Sequence, residues 1–413
     1  MVQVEQMRKP ISLVIYLRTL FLATIVCTSA MAFGQTEHYY AFHGPDGQSP
    51  SGSLITDNVG NLYGVTILGG TAGVGVVYQI SKLSGHATEK VLYSFTGTQG
   101  DGAYPVGNLI FDTAGNLYGT TSGGGTYNQG TIFKLSPPDY PANDWTLKIL
   151  YTFTGQTGGG PQSGLIMDAE GNLYGTTSSG GDYGLGTVFE LDRNNKLETL
   201  HSFMGSPSDG RIPLASLIID SDMNLYGTTA AGGAYDNGTV FELSSSGGVW
   251  AETILHTFGA AGDGVAPYDP LTMNQFGVLA GTTITGVNEG QSCGTVFTLG
   301  PPPDRPYGIL YSFGQDGDGC NIVSGVAGAN GVMFGTTQLG GLNSDQGTVF
   351  ELTRSPGSNR WMANTVFTFN GNDGENPEGL TIYKNKLYGV TGNGGDLGSC
   401  GGRGCGTVFE LGP

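Results

Sequence analysis

Short apolar runs recur along this chain at a fixed beat, each closed by Gly, Asn, Asp or Pro. The phrase Asn-Leu-Tyr-Gly-Thr-Thr stands at 116–121, 172–177 and 224–229. Degenerate copies stand at 61–66, 279–283, 333–337 and 387–391. The position before the glycine therefore falls at 63, 118, 174, 226, 280, 334 and 388, spaced 52 to 56 residues apart. Gly-Thr-Val-Phe-Glu-Leu keeps the same beat at 186–191, 238–243, 347–352 and 406–411, with variants starting at Gly75, Gly130 and Gly294. An aromatic-x-Phe phrase ends at Phe42, Phe95, Phe153, Phe203, Phe258, Phe313 and Phe369, and runs such as Leu109-Ile110-Phe111 precede each Tyr-Gly. Each unit thus holds four β-branched and aromatic runs bounded by turn residues, which read as four strands. Seven such units predict an all-β fold, a seven-bladed β-propeller with four antiparallel strands per blade.

The runs are apolar on both faces, as blades packed on either side require. The glycine of Tyr-Gly-Thr is expected to let an aromatic of the next blade approach the backbone. The phase of the repeat also predicts how the ring closes. The chain after residue 32 opens on Tyr39-Tyr40-Ala41-Phe42, a fourth-strand phrase, and finishes on Val408-Phe409-Glu410-Leu411, a third-strand phrase. The N-terminal strand is expected to complete the last blade.

These phrases resemble the repeat of the GloVer tandem-repeat proteins, exported bacterial proteins described as choice-of-anchor, over nearly all of residues 38–411. The resemblance implies export and a C-terminal surface anchor of variable type. This sequence departs from it in showing no anchor-like segment after Leu411. It implies no catalytic residues that transfer to this chain.

Composition narrows the picture further. With 74 Gly and 19 Pro in 413 residues, long helices are disfavoured, while 38% hydrophobic residues suffice for a core. A formal charge of −18 and a lack of Lys/Arg clusters exclude nucleic acid as a partner. Arg8, Lys9 and Arg18, the apolar stretch Leu20–Val26 and Ala30-Met31-Ala32 are laid out as a secretory signal peptide over residues 1–32. Residues 33–413 are then the propeller, a monomer secreted to the periplasm or beyond, with no membrane insertion after cleavage.

Candidate chemistry lies in the loops. Asp57, Asp112, Asp168 and Asp220 open tight turns that read as structural. The opposite face gathers two longer loop types. One carries Asp-Gly, supplying Asp46, Asp101, Asp209, Asp263, Asp318 and Asp373, with Asp316 forming a dense pair beside Asp318. The other follows the paired threonines, among them Thr121, Thr177 and Thr229, and carries Gly-Gly. One reading is a set of shallow sites for a polyhydroxylated ligand, with Ca²⁺ under the Asp-Gly loops. The other is that Asp-Gly only makes turns.

Catalytic patterns are sparse. His201 and His256 occupy the slot filled by Tyr93, Tyr151 and Tyr311, so they read as aromatics of the core or its edge. No Gly-x-Ser-x-Gly elbow is present. Paired carboxylates for cleaving a polysaccharide remain an alternative. Trp145, Trp250 and Trp361, each eight residues before a fourth-strand Phe, read as one structural role, or as platforms for sugar rings. Export permits disulfides. Cys293 and Cys320 fall on loops of one face, and Cys400 and Cys405 share a loop, which favours the pairs 293–320 and 400–405. Three functional readings follow: a non-catalytic module binding carbohydrate or a cell-envelope partner, a polysaccharide hydrolase or lyase, and a structural envelope protein.

Overall fold

The computed structural model describes residues 36–412 except 84–85, 99, 140–142, 287–292, 315–316, 328–330, 342–344 and 356. The signal-peptide reading of residues 1–32 and the candidate Asp316 lie outside the described residues. Seven four-stranded antiparallel sheets form the blades of a β-propeller. Blade 2 is representative, with strands Gly102–Phe111, Leu117–Gly124, Thr131–Ser136 and Thr146–Thr152 paired in chain order.

The tight turns explain their own sequence. Asp112 Oδ1 accepts the N–H groups of Ala114 and Asn116, both at 2.9 Å. Its Oδ2 takes the Asn116 side chain at 2.6 Å and the Tyr118 hydroxyl at 3.0 Å. Asp57, Asp168 and Asp220 repeat these bonds with Tyr63, Tyr174 and Tyr226. The Tyr of Asn-Leu-Tyr-Gly is therefore the lock of the turn before it.

The glycine of Tyr-Gly-Thr corrects one expectation. A Cβ at Gly119 would stand 2.7 Å from the Phe133 ring and 2.9 Å from Leu109. Phe133 is the register partner of Gly119 on the next strand of the same blade, not a residue of the next blade. Gly175 with Phe189 and Gly227 with Phe241 behave alike.

The next blade is reached by that phenylalanine's other edge. Each fourth-strand Phe packs on the third-strand aromatic of the following blade: Phe95 on Phe133 at 5.3 Å between centroids, Phe153 on Phe189 at 5.2 Å, Phe203 on Phe241 at 5.3 Å. The belt continues through Phe258–Phe297, Phe313–Phe350 and Phe369–Phe409. Five of these six pairs are edge-to-face and Phe313–Phe350 is tilted; such pairs add ~1 kcal/mol each beyond the area they bury.

A second device latches blades 1, 2, 4, 5 and 7 each to the one before. Ser49, Tyr104, Ile212, Ala266 and Asn376 all hold φ between 54° and 58°. That conformation costs ~1–2 kcal/mol for an L residue. It turns their N–H groups onto carbonyls of the preceding blade, Tyr104 to Val74 at 2.8 Å and Ile212 to Leu185 at 2.9 Å. The proline that follows lies against the glycine opening the preceding Gly-Thr-Val-Phe, as Pro213 does on Gly186 and Pro267 on Gly238.

The ring closes as the repeat phase predicts. Thr36–Ala41 pairs antiparallel with Thr407–Leu411 and supplies the outer strand of blade 7. Phe42 donates its N–H to Gly406 at 3.0 Å, and Ser49 donates to Cys405 at 2.9 Å. Blade 7 meets blade 1 again where the Thr381 hydroxyl bonds the Leu54 carbonyl at 2.5 Å.

Candidate functional site

The two longer loop types do share one face. Carbonyls of the loops that follow the fourth strands receive N–H groups of the Gly-Gly loops: Gly125 on Asp101, Gly181 on Gly155, Gly233 on Asp209, Gly395 on Gly371. The side chains on this face are arranged differently from the expectation. Thr121, Thr177 and Thr229 are fully buried. Their hydroxyls pair at 2.8 Å with those of Thr131, Thr187 and Thr239 on the adjoining strand, and reach back to carbonyls of their own loops. They hold the loop base and present nothing to solvent, because an unpaired hydroxyl at that depth would be costly.

The Asp-Gly carboxylates also point inward. Asp101, Asp209, Asp263 and Asp318 are 8%, 1%, 5% and 9% exposed. Asp101 accepts the Thr96 N–H at 2.8 Å, Asp209 that of Met204 at 2.7 Å, and Asp318 that of Gly314 at 3.0 Å. Each also meets the polar tip of the fourth-strand aromatic: Tyr93 at 3.3 Å, His201 at 3.1 Å, His256 at 2.9 Å, Tyr311 at 2.8 Å. Asp46 does the same with Tyr40 at 2.6 Å, and Asp373 accepts the Asn370 N–H at 2.9 Å. This is the geometry of the turn reading, in which Asp-Gly organises a loop without a ligand. It also explains why His replaces Tyr at 201 and 256, since both can donate to the same acceptor.

Beside this unit lies a junction position, six residues before each fourth-strand Phe. It packs against the aromatic tip of the preceding blade. Leu147 joins the cluster of Tyr93, Leu197 that of Tyr151, and Ala363 that of Tyr311. Tyr307 stacks on His256 at 3.9 Å and donates to Asp263. Two junctions carry an acid instead, Glu89 near Tyr40 and Asp46, and Glu252 beside His201 and Asp209. Burial and then the Asp209 charge drive Glu252 upward from the usual carboxylate range. Asp209 is held low against its own burial by His201 and the Met204 N–H.

What the face does expose is aromatic. Tyr127, Tyr183 and Tyr235 are 58%, 58% and 55% exposed. Each stands six residues after the second Thr of its unit, at the tip of the Gly-Gly loop in blades 2, 3 and 4. Tyr104 and Tyr268 are exposed on the neighbouring Asp-Gly side. The Tyr235 loop is pinned by Arg211, whose guanidinium grips Asp236 at 3.0 and 2.9 Å. Sequence reasoning passed over these tyrosines, although their common offset from Thr121, Thr177 and Thr229 was visible. The tryptophans, by contrast, are partly buried against core clusters.

At the inner strands, burial pushes Asp269 and Glu378 up to about 7, Asp269 further raised by the Glu378 charge and opposed by the Thr282 hydroxyl. Their folded values lie above their unfolded ones, so their stabilising protonation is complete below about pH 4 and is lost as pH rises towards 7 and above. The melting temperature should therefore fall between pH 5 and pH 8. Asp269→Asn with Glu378→Gln should flatten that slope in a thermal scan, and an equally steep slope in the double variant would contradict this assignment.

Both cysteine pairs are bridged as expected. Cys293–Cys320 ties the loop after the second strand of blade 5 to the start of blade 6, and Cys400–Cys405 closes one loop of blade 7. Among the described residues no helix is long and apolar enough to cross a membrane.

Many solved structures share the fold, among them two that align over 92% of this chain. The extracellular domain of what is described as a one-component system from B. thetaiotaomicron aligns with a TM-score of 0.56 at 10% identity over 92% of this chain. This chain spans 40% of that one's length. An ulvan lyase of polysaccharide lyase family PL25, bound to -[GlcA(1-4)Rha3S]-, aligns with a TM-score of 0.55 at 10% identity, over 92% of this chain and 96% of that one. At such identities the likeness extends to the fold alone. Among curated protein sequences none matches. The Gloeobacter/Verrucomicrobia repeat model matches residues 24–142 and 139–319. With that match laid over blades that repeat the same loop, latch and turn, the chain belongs to the Gloeobacter/Verrucomicrobia repeat family.

Proposed function

We propose that the protein is a binding module, acting outside the cytoplasm, that recognises a carbohydrate polymer of a cell surface through its loop face. The observation that carries this reading is the exposure of Tyr127, Tyr183 and Tyr235 at equivalent loop tips of three successive blades. A tyrosine ring offers an apolar plane for a sugar face and a hydroxyl for its polar rim. Three weak contacts on one rigid scaffold gain by linkage what each lacks alone. Two disulfides support an oxidising compartment.

A polysaccharide hydrolase or lyase would need acids open to the glycosidic bond. The Asp-Gly carboxylates proposed for that role are instead turned onto their own loops.

Affinity electrophoresis through gels containing xyloglucan, β-glucan, alginate or pectin tests the proposal. The protein should be retarded in at least one gel. The triple variant Tyr127→Ala, Tyr183→Ala, Tyr235→Ala should bind at least tenfold more weakly with an unchanged melting temperature. Retardation equal to the parent, or no retardation of the parent in any gel, would overturn the reading.

A further inference from the structure

The junction of blades 3 and 4 differs from its sisters in what it brings together. His201 comes from the outer strand of blade 3, Leu197–Ser202, and Glu252 from the outer strand of blade 4, Val249–Thr257. Asp209 comes from the loop that leads into blade 4. The His201 Nε2 atom lies 3.1 Å from Asp209 Oδ2 and 3.5 Å from Glu252 Oε2, and one ligand atom from each residue falls within 4.8 Å of the others. Among the described residues this is the only group of three His, Cys, Asp or Glu side chains so converged.

Three features make it more than an accident of packing. The side chains of His201, Asp209 and Glu252 are 17%, 1% and 11% exposed, so two carboxylates face each other nearly out of water. Among the described residues neither carboxylate pairs with a Lys or Arg. Glu252 Oε1 is shut off from solvent with no hydrogen-bond partner, as is Glu89 Oε1 at the junction of blades 7 and 1, where no histidine stands beside it in the aromatic slot. A buried carboxylate oxygen left without a donor is a position that a cation would fill. Four other junctions fill this position with Leu147, Leu197, Ala363 or Tyr307, and the one that also carries an acid, Glu89, sets it beside Tyr40 and Asp46 with tyrosine rather than histidine in the aromatic slot.

We propose that His201, Asp209 and Glu252 form a binding site for a divalent transition-metal ion of the Zn²⁺ class that clips blade 3 to blade 4. One imidazole nitrogen and two carboxylate oxygens suit Zn²⁺, and the nitrogen ligand argues against Ca²⁺. Tetrahedral ligands at about 2.1 Å from zinc stand about 3.4 Å apart, close to the 3.1 and 3.5 Å between His201 and the two carboxylates. Water completes the set. The support behind the ligands is in place: the Met204 and Gly210 N–H groups hold Asp209, and the Phe203 ring lies edge-on to His201 at 4.8 Å between centroids. The low exposure assigns the metal a structural role, because a polymer cannot reach it.

Isothermal titration of ZnCl₂ into chelator-treated protein, followed by thermal scans, tests the site. The expected result is one Zn²⁺ per chain and a melting temperature raised by saturating metal. The double variant His201→Tyr, Glu252→Leu installs the residues that the sister junctions already use, Tyr151 and Leu197. It should fold and lose the binding step. Glu252→Gln, which preserves shape, should weaken binding at least tenfold even if the double variant fails to fold. His256→Tyr, at the junction that lacks the second carboxylate, should leave the isotherm unchanged. No uptake by the parent, or uptake unaltered by Glu252→Gln, would overturn the proposal.

Discussion

Removing residues 33–45 should abolish the single cooperative unfolding transition of the protein. The segment carries the outer strand of blade 7, Thr36–Ala41, and then Phe42, which is fully buried. Phe42 packs with Leu54, Val76 and Tyr78 of blade 1 and with Tyr388, Val390 and Val408 of blade 7, so one side chain serves both sides of the closing junction. Its ring meets Tyr78 edge-on at 4.9 Å. Phe42→Ala alone should cost about 4 kcal/mol, the usual loss for emptying a buried aromatic site. The whole deletion adds the lost ladder with Thr407–Leu411 and the opened faces of blades 1 and 7. Urea titration followed by near-ultraviolet circular dichroism reads both variants. A deletion variant unfolding at the parent's midpoint would show that the ring does not depend on this strand.

The second large effect is expected from breaking Cys293–Cys320. Its cysteines are 27 residues apart in sequence, and closing a loop of that length removes about 3.5 kcal/mol of chain entropy from the unfolded state. Cys400–Cys405, with a separation of 5, should contribute only about 2 kcal/mol by the same relation. Serine pairs at each site, compared by urea unfolding under oxidising conditions, should therefore rank 293/320 as the more damaging. Equal losses, or the reverse order, would mean that native-state contacts rather than loop closure set the stabilisation. The longer bridge has a geometric role as well, since it crosses from blade 5 to blade 6 where the others rely on a backbone latch.

The ring itself was legible because every unit repeats the same four phrases, and the out-of-phase ends left one strand unpaired. The shared loop face was legible for the same reason, as alternate connections of antiparallel strands must emerge together. Side-chain direction was not legible. An Asp before Gly looks alike whether its carboxylate meets a ligand or, as at Asp209, the N–H of Met204. The partner of Gly119 was misjudged because spacing alone does not say which of two nearby phenylalanine edges meets it. Phe133 lies opposite in register, and its far edge serves the neighbouring blade. Tyr127, Tyr183 and Tyr235 were hidden by a different cause. Their loops share Gly-Gly two residues before the tyrosine and a glycine three residues after it, and these glycines read as turn residues and drew attention away from the ring between them. Glu252 stands out only once the fold brings the outer strands of adjacent blades together, for in sequence it is one polar residue in an alternating run.

The most direct test of the binding role is a glycan and polysaccharide array probed with residues 33–413, once in Ca²⁺ and once in EDTA, alongside the triple tyrosine variant. The account predicts that the parent binds in both conditions, since the aromatic face needs no calcium, and that the variant does not. Failure of the parent to bind any carbohydrate, or full binding by the variant, would contradict it.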